Sequence, residues 1–212
     1  MMSGLVDKCK EVDYKFSYEL FKRYPRGQKY QRILSSLEWS CHGIPWFAVV
    51  IALLYLYPGN KVLSKLLVGL VMDVIVVALI KATVRRRRPV YRNQDDQFIV
   101  ASVDKHSFPS GHASRAVYVA LLTHSLYGEA AVIGFLVGTW AMAVAASRIF
   151  LGRHHVFDVA AGFVVAYFVY TTQLLFGDLI SSLILPIFTS TFVDPSDMSD
   201  TDSLALDSLD DD

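Results

Sequence analysis

The run from Val62 to Thr83 constrains this chain more than any other stretch. It is apolar almost throughout and, wound as a helix, long enough to cross a hydrocarbon core about 30 Å thick. Such a helix satisfies its own backbone hydrogen bonds, which lets it leave water. One residue breaks the pattern, Asp73, near its middle. An acid at that depth must face the interior of a helical bundle and find a partner there. Either it makes a structural hydrogen bond to another helix, or it takes part in chemistry. The run argues against an ordinary soluble domain. Composition agrees, with 53% hydrophobic residues and a mean hydropathy of +0.38.

The neighbouring stretches extend this into a bundle. Trp39 to Tyr57 is a first span, with Trp39, Trp46, Tyr55 and Tyr57 suited to the interfacial belt. Pro58-Gly59-Asn60 turns the chain into the second. Further spans run from about Ala113 to Tyr127, Ala130 to Phe150 and Val156 to Phe176, with Gly128-Glu129 as a short turn. Leu179 to Phe188 is apolar but too short to cross alone, so it extends the last helix or lies in the interface. Ahead of the spans, Val12, Phe16, Leu20 and Tyr24 recur every four residues, with Lys15, Lys22 and Arg23 elsewhere on the turn. That spacing predicts an amphipathic helix, read as lying on an anionic membrane surface in preference to packing on its own domain. The expected architecture is all-α: an integral membrane bundle of about five transmembrane helices plus an N-terminal interfacial helix. Residues 1–38 form the amphipathic segment and 39–188 the membrane domain. Residues 189–212 form an acidic tail, Asp/Ser-rich and expected to be disordered.

Formal net charge is zero, but basic residues crowd the front and Arg85 to Arg88, and acidic ones the tail. Lys22, Arg23, Arg26, Lys29 and Arg32 precede the first span, against Lys61 and Lys65 on the opposite side. The positive-inside rule then places the N-terminus in the cytosol. Cys9 and Cys41 make no disulfide framework or metal site and read as free thiols. No cleavable signal peptide or lipidation motif is expected.

Counting crossings brings three polar segments to one side of the bilayer, each at a span end. Lys81 to Pro89 closes the second span, Pro109-Ser110-Gly111-His112 opens the third, and Ser147 to Asp158 joins the last two. Taken alone, Ser147–Asp158 is either a membrane-edge charge cluster with snorkelling arginines or a site. The other two segments favour the site. Lys81, Arg88 and Arg148 gather positive charge that calls for an anion, and arginine forks suit phosphate. The helix start at Ser110-Gly111-His112 offers backbone N–H groups, and Ser110 adds a hydroxyl donor. His154, four residues before Asp158, is expected to share a helix face with it and to be oriented by it for attack on phosphorus. His112 suits general acid catalysis on the leaving oxygen, then base catalysis for water. No metal or other cofactor is expected, because the basic cluster supplies the positive charge. Arg115 is a candidate for a second phosphate, and Arg85, Arg86 and Arg87 serve either a diphosphate or, in the preferred reading, membrane anchoring. His155, Arg153, His42, His106 and His124 are taken as ordinary polar positions.

The pattern Lys-x6-Arg-Pro, Pro-Ser-Gly-His, Ser-Arg-x5-His-x3-Asp resembles the type 2 phosphatidic acid phosphatase superfamily, whose helical core is shared with vanadium haloperoxidases. The resemblance covers about residues 60–176. It implies a membrane lipid phosphatase with nucleophile His154, acid/base His112, supporting Asp158, and phosphate binders Lys81, Arg88, Ser110, Gly111 and Arg148. His-Ser-Phe-Pro-Ser-Gly-His-Ala-Ser-Arg-Ala and Gly-Arg-His-His-Val-Phe-Asp-Val look most like its polyisoprenoid (presqualene/farnesyl-type) diphosphate phosphatase branch. That branch implies removal of phosphate from isoprenoid diphosphates and monophosphates at the endoplasmic reticulum and nuclear envelope. Phosphatidate, a sphingoid-base phosphate or dolichyl diphosphate are alternative substrates, and a non-catalytic membrane scaffold of the same fold is a further alternative. Expected partners are the lipid phosphate and membrane lipids, with no nucleic acid; the sequence does not speak to oligomeric state.

Overall fold

The computed structural model describes residues 2–25, 27–91, 106–127 and 131–192. Among these the chain is helical: α1 (Met2–Arg23), α2 (Gln28–Ser40), α3 (Gly43–Leu56), α4 (Lys61–Val84), α5 (Gly111–Leu126), α6 (Ala131–Phe150) and α7 (Val156–Phe192). Residues 189–192, assigned from the sequence to the disordered tail, continue α7; the rest of the tail, the Gly128-Glu129 turn and most of the polar connection after Tyr91 lie outside the described residues.

Among the described residues, three helices are long and apolar enough to cross a membrane: α4, α6 and the Val156–Gly177 part of α7. The α2–α3 pair, bent by 43° at its break, makes a fourth by length and composition. The break falls at Cys41-His42, where the Trp46 and Trp140 indoles donate to the Ser40 carbonyl (2.7 Å) and hydroxyl (3.0 Å). Glu38 lies in the last turn of α2, just before the break. α5, counted as a span from the sequence, has 16 residues and a length of about 24 Å. It is enclosed by other helices instead of lipid: Ala113, Ser114, Arg115, Ala116, Tyr118, Val119 and Leu122 are all buried. Leu179 to Phe188 continues α7.

The core lies between α3, α4, α5 and α7, where Val50, Leu54, Leu70, Val77, Tyr118, Val165 and Val169 pack together. Outward faces are apolar too, with Val74, Leu79, Phe135, Leu136, Val164, Tyr167 and Leu175 exposed, as lipid contact requires. Asp73 meets the structural alternative: it accepts from the Ser114 hydroxyl and pairs with Arg115 (3.7 Å). Arg115 also donates to the Cys41 carbonyl (3.1 Å), so its two terminal nitrogens tie α5 to α4 and to the α2–α3 break, while its Nε is buried without a hydrogen-bond partner. Away from the polar end, the Tyr118 hydroxyl donates to Gln173 (2.7 Å), and Gln173 donates to the Lys65 carbonyl, tying α4, α5 and α7.

One close approach sets the site's floor. A Cβ on Gly162 would lie 2.8 Å from the Ser110 carbonyl oxygen and 3.2 Å from the Ser114 nitrogen. Glycine there lets α7 seat directly on the first turn of α5.

α1 does pack on the end of the bundle, but not by the stripe its spacing suggested. Val12 and Phe16 are exposed (61% and 55%), while the residues beside them, Asp13 and Ser17, are buried. The helix turns a polar pair inward because the surface it meets is the N-terminus of α7, where unpaired backbone N–H groups need acceptors.

Candidate active site

The turn between α6 and α7 carries the centre of the site, and its spacing has a mechanical cause. α6 ends in a Schellman-type cap: Gly152, at φ 65°, donates to the Ile149 carbonyl (2.9 Å) and Arg153 to the Arg148 carbonyl (3.0 Å). The His154 backbone N–H also bonds the Arg148 carbonyl (3.1 Å). Arg148 and His154 are thus locked together by the geometry of a helix end. Gly152 supplies the left-handed residue this turn needs.

α7 begins immediately afterwards. Asp158, in its first turn, accepts from the His155 backbone N–H (2.8 Å), as the acidic member of a capping box does. The other end of that box comes from α1. Ser17 accepts from the Val156 N–H (2.9 Å) and Asp13 from the Phe157 N–H (3.0 Å).

His154 is not held as its spacing to Asp158 suggested. It lies in the turn before α7, and its Nδ1 is 3.9 Å from Asp158, beyond hydrogen-bond distance. Asp158 is engaged elsewhere: Arg86 Nη1 donates to it at 2.8 Å and His155 Nδ1 lies at 3.1 Å. His154 Nδ1 instead sits 2.7 Å from the Ser107 carbonyl oxygen. A carbonyl only accepts, so Nδ1 carries the proton and Nε2 keeps its lone pair. Burial pushes the His154 imidazole well below its ordinary value, helped by the charges of Arg88, Arg148 and Lys81 and opposed by the Ser107 carbonyl. The ring is therefore neutral near pH 7.

Ser107 is itself gripped. Its N–H donates to the Arg86 carbonyl (2.8 Å), and its hydroxyl reaches the Arg86 and Arg87 carbonyls (3.3 and 3.0 Å). Arg87 and His106 form an isolated antiparallel bridge. Arg85 starts this return by ending α4 in the left-handed region (φ 49°).

The remaining residues assemble around the imidazole. Arg88 Nη1 donates to the Arg153 carbonyl (3.2 Å). Arg148 is 1% exposed; its Nη1 pairs with Glu38 at 3.1 Å, while its Nε and Nη2 have no protein partner. Glu38 also reaches Arg153 (3.5 Å). Lys81, in the last turn of α4, and Arg148 act electrostatically on both His112 and His154. Ser110 caps α5, accepting weakly from Ala113 N–H (3.5 Å), which leaves its proton free to donate. The Ser110 N–H is bound to the Asp158 carbonyl (2.9 Å), joining α5 to α7. Gly111 and His112 open α5. His112 lies beside His42 (6.0 Å between rings), takes a bond from Cys41 Sγ on its carbonyl (3.4 Å), and has a buried, unpartnered Nε2.

Buried polar atoms left without partners are rare, because each costs about 1–3 kcal/mol. Among the described residues Arg148 Nε and Nη2 and His112 Nε2 are of that kind, as are His42 Nδ1, Asp73 Oδ2, Tyr91 Oη and Arg115 Nε; of these residues only Arg148 and His112 belong to the three motif segments. An anion with several acceptor oxygens would satisfy the Arg148 donors together.

Residues 62–177 match the PAP2 superfamily. The chain belongs to that superfamily. It is 39% identical over 142 residues to a probable lipid phosphate phosphatase beta of Arabidopsis thaliana, an alignment covering 55% of this chain and 66% of that protein's length. Among solved structures, it resembles a transmembrane PAP2-type phosphatidylglycerolphosphate phosphatase from Bacillus subtilis (TM-score 0.65, 20% identity, 82% of this chain and 88% of that one). It also resembles Aquifex aeolicus LpxE (TM-score 0.60, 20% identity, 76% and 93%). The superfamily match begins at residue 62, so α1 and the whole of the bent α2–α3 pair lie ahead of it.

Four residues of the site were not legible as such in the sequence: Glu38, Ser107, Arg86 and Asp13. Each acts on a partner far along the chain, so no local spacing marks it. Ser107 had the best signal, standing three residues before the Ser110 cap, but its role is played by a backbone carbonyl that any residue possesses.

Proposed function

We propose that this chain is a membrane-embedded lipid phosphate phosphatase acting through a phosphohistidine on His154. The observation that carries the reading is a neutral, buried imidazole, held through Nδ1 by the Ser107 carbonyl, with Lys81, Arg88 and Arg148 around it. The phosphoryl group binds among those cations and the Ser110 hydroxyl. Nε2 of His154 attacks phosphorus in line as the bond to the leaving oxygen breaks, and His112 gives that oxygen its proton; burial and the nearby cations push the free His112 imidazole well below its ordinary value, so the negative charge of the bound phosphate is what holds the proton there. Water then attacks the phosphohistidine. His112 takes the water's proton, the phosphorus–nitrogen bond breaks, and inorganic phosphate leaves with His154 restored. The cationic cluster stabilises the charge of both transition states, so no metal is needed. Asp158 acts by capping α7 and holding Arg86 and His155, one step removed from the reacting atoms.

The leaving group is read as an isoprenoid diphosphate or monophosphate, from likeness of the motif segments to that branch. The site is read as cytosolic, from the basic residues around α1 and α2, and the location as endoplasmic reticulum and nuclear envelope. Phosphatidate is the rival substrate; the plant relative's name specifies only a lipid phosphate.

The test is a substrate panel in detergent with chelator, wild type beside His154→Ala. Turnover that survives chelator and disappears in the variant, by about 10⁴-fold or more, supports the mechanism. An active His154→Ala protein overturns it. The ratio of farnesyl diphosphate to phosphatidate turnover decides the branch.

A further inference from the structure

α1 lies ahead of the superfamily match, yet it reaches the nucleophile's supports through one arginine. Asp13 and Ser17 are 1% and 0% exposed, four residues apart on the inward face, and Ser17 donates to Asp13 (3.3 Å). Asp13 Oδ2 accepts from Arg86 Nη2 at 2.6 Å. The other end of the same guanidinium bonds Asp158. Arg86 is thus a bridge between two buried carboxylates, one on α1 and one on α7.

Two routes lead from this bridge to His154. Through the backbone, the Arg86 carbonyl holds Ser107, whose own carbonyl holds His154 Nδ1. Through side chains, Arg86 holds Asp158, which fixes His155, the residue bonded directly to the nucleophile in the chain. Asp13 and Ser17 fix the same turn again by capping Val156 and Phe157. The turn that presents the nucleophile is therefore clamped on both sides, and Arg86 belongs to both clamps.

Buried ion pairs of this kind are a poor source of stability, since desolvation offsets much of the attraction. Their geometry is another matter: a planar guanidinium donating from Nη1 to one fixed carboxylate and from Nη2 to another admits little angular freedom. In-line attack needs the reacting atoms aligned at near contact, and a displacement of about 1 Å costs about a hundredfold in rate.

We propose that Asp13 and Arg86 are positioning residues of the active site, and that α1 sets the angle at which His154 meets phosphorus. The inference rests on the reading of His154 as nucleophile. It assigns a catalytic consequence to a helix outside the family-matched region.

The test uses full-length protein in detergent micelles with farnesyl diphosphate and phosphatidate as probes. Asp13→Asn keeps the acceptor for Phe157 and removes the charge. Its kcat should fall about 10- to 100-fold with KM nearly unchanged, and Asp13→Glu should recover part of the loss. Arg86→Ala should fall at least as far, and the double variant no further than the deeper single one, because both break one unit. Glu11→Gln, on the exposed face of α1, should leave kcat alone. A second readout does not depend on turnover: hydrogen–deuterium exchange at the His154 imidazole carbon, followed by mass spectrometry, should be faster in Asp13→Asn. If wild type turns over neither probe while exchange still responds, the functional reading fails and the positioning stands. Folded Asp13→Asn with wild-type kcat and wild-type exchange overturns the inference, as does a loss confined to KM. If Asp13→Asn does not fold, Ser17→Ala carries the test, and an unchanged kcat there overturns it equally.

Discussion

The surroundings of His154 divide into two sides that share charged residues but differ in how those residues are matched. On one side stand Lys81, Arg88, Arg148 and His112; there Arg148 and His112 present donors or acceptors with no protein partner. On the other stand Asp13, Ser17, Arg86, His155 and Asp158, where carboxylates, guanidinium and backbone N–H groups are paired with one another. The first side is cation-rich and incomplete, and the second is near balance and closed. Under the proposed function a substrate phosphate completes the first, whereas the carboxylates and guanidinium of the second already hold one another. Charge alone therefore does not mark a binding surface. Arg86 illustrates the point: sequence offers it as a diphosphate ligand or a membrane anchor, yet it is consumed between two aspartates.

This contrast can be broken at the unmatched side first. Arg148→Ala should lower kcat/KM by about 10²- to 10³-fold, the usual loss when a charge-stabilising donor is removed. It also leaves Glu38 facing Arg153 alone. Steady-state kinetics checks it, and a loss under about threefold would place Arg148 with the matched residues. The seat of the closed side is tested by Gly162→Ala. The new methyl meets the Ser110 carbonyl at 2.8 Å, so α7 or the α5 start must move. The expected cost is about 1–3 kcal/mol of stability, seen as a lowered melting temperature in detergent, together with reduced kcat. The smallest effect is in the pH profile. The imidazole must be neutral to attack, and burial with nearby cations depresses its pKa. Activity should therefore persist as pH falls past the ordinary histidine value of about 6.5, and the acid limb of kcat/KM should lie below it. Removing one cation relieves part of the depression, so Arg148→Ala should move that limb upward.

The reach of the sequence differs between these two sides. The sequence proposes Lys81, Arg88, Ser110, Gly111, His112, Arg148 and His154, and for the last five the spacing repeats what helix ends require: a capped start at Ser110 and a Schellman exit that ties His154 to Arg148. Helix-end geometry is local, so short motifs encode it. Asp158 was legible as a participant, but its role was misread. An interval of four residues means shared helix face only inside a helix, and His154 stands outside α7. Asp13 and Glu38 were illegible, since their partners Arg86 and Arg148 lie far along the chain and nothing in residues 1–40 reports them.

The fold divides similarly. Apolar length determined the helices, and Asp73 in mid-span required a buried partner, as found in Ser114 and Arg115. That α5 is enclosed by protein, and that α2 and α3 bend at Cys41-His42, were decided by packing. So was the face of α1. Its apolar stripe gave the helical period, but the surface it meets is a helix N-terminus needing acceptors, and Asp13 and Ser17 supply them. By itself the sequence determined which residues are chemically capable and which are apolar enough to leave water, because those are properties of side chains and short intervals. Only the tertiary structure decided which charges are matched and which remain for a phosphate, because matching depends on groups brought together from opposite ends of the chain.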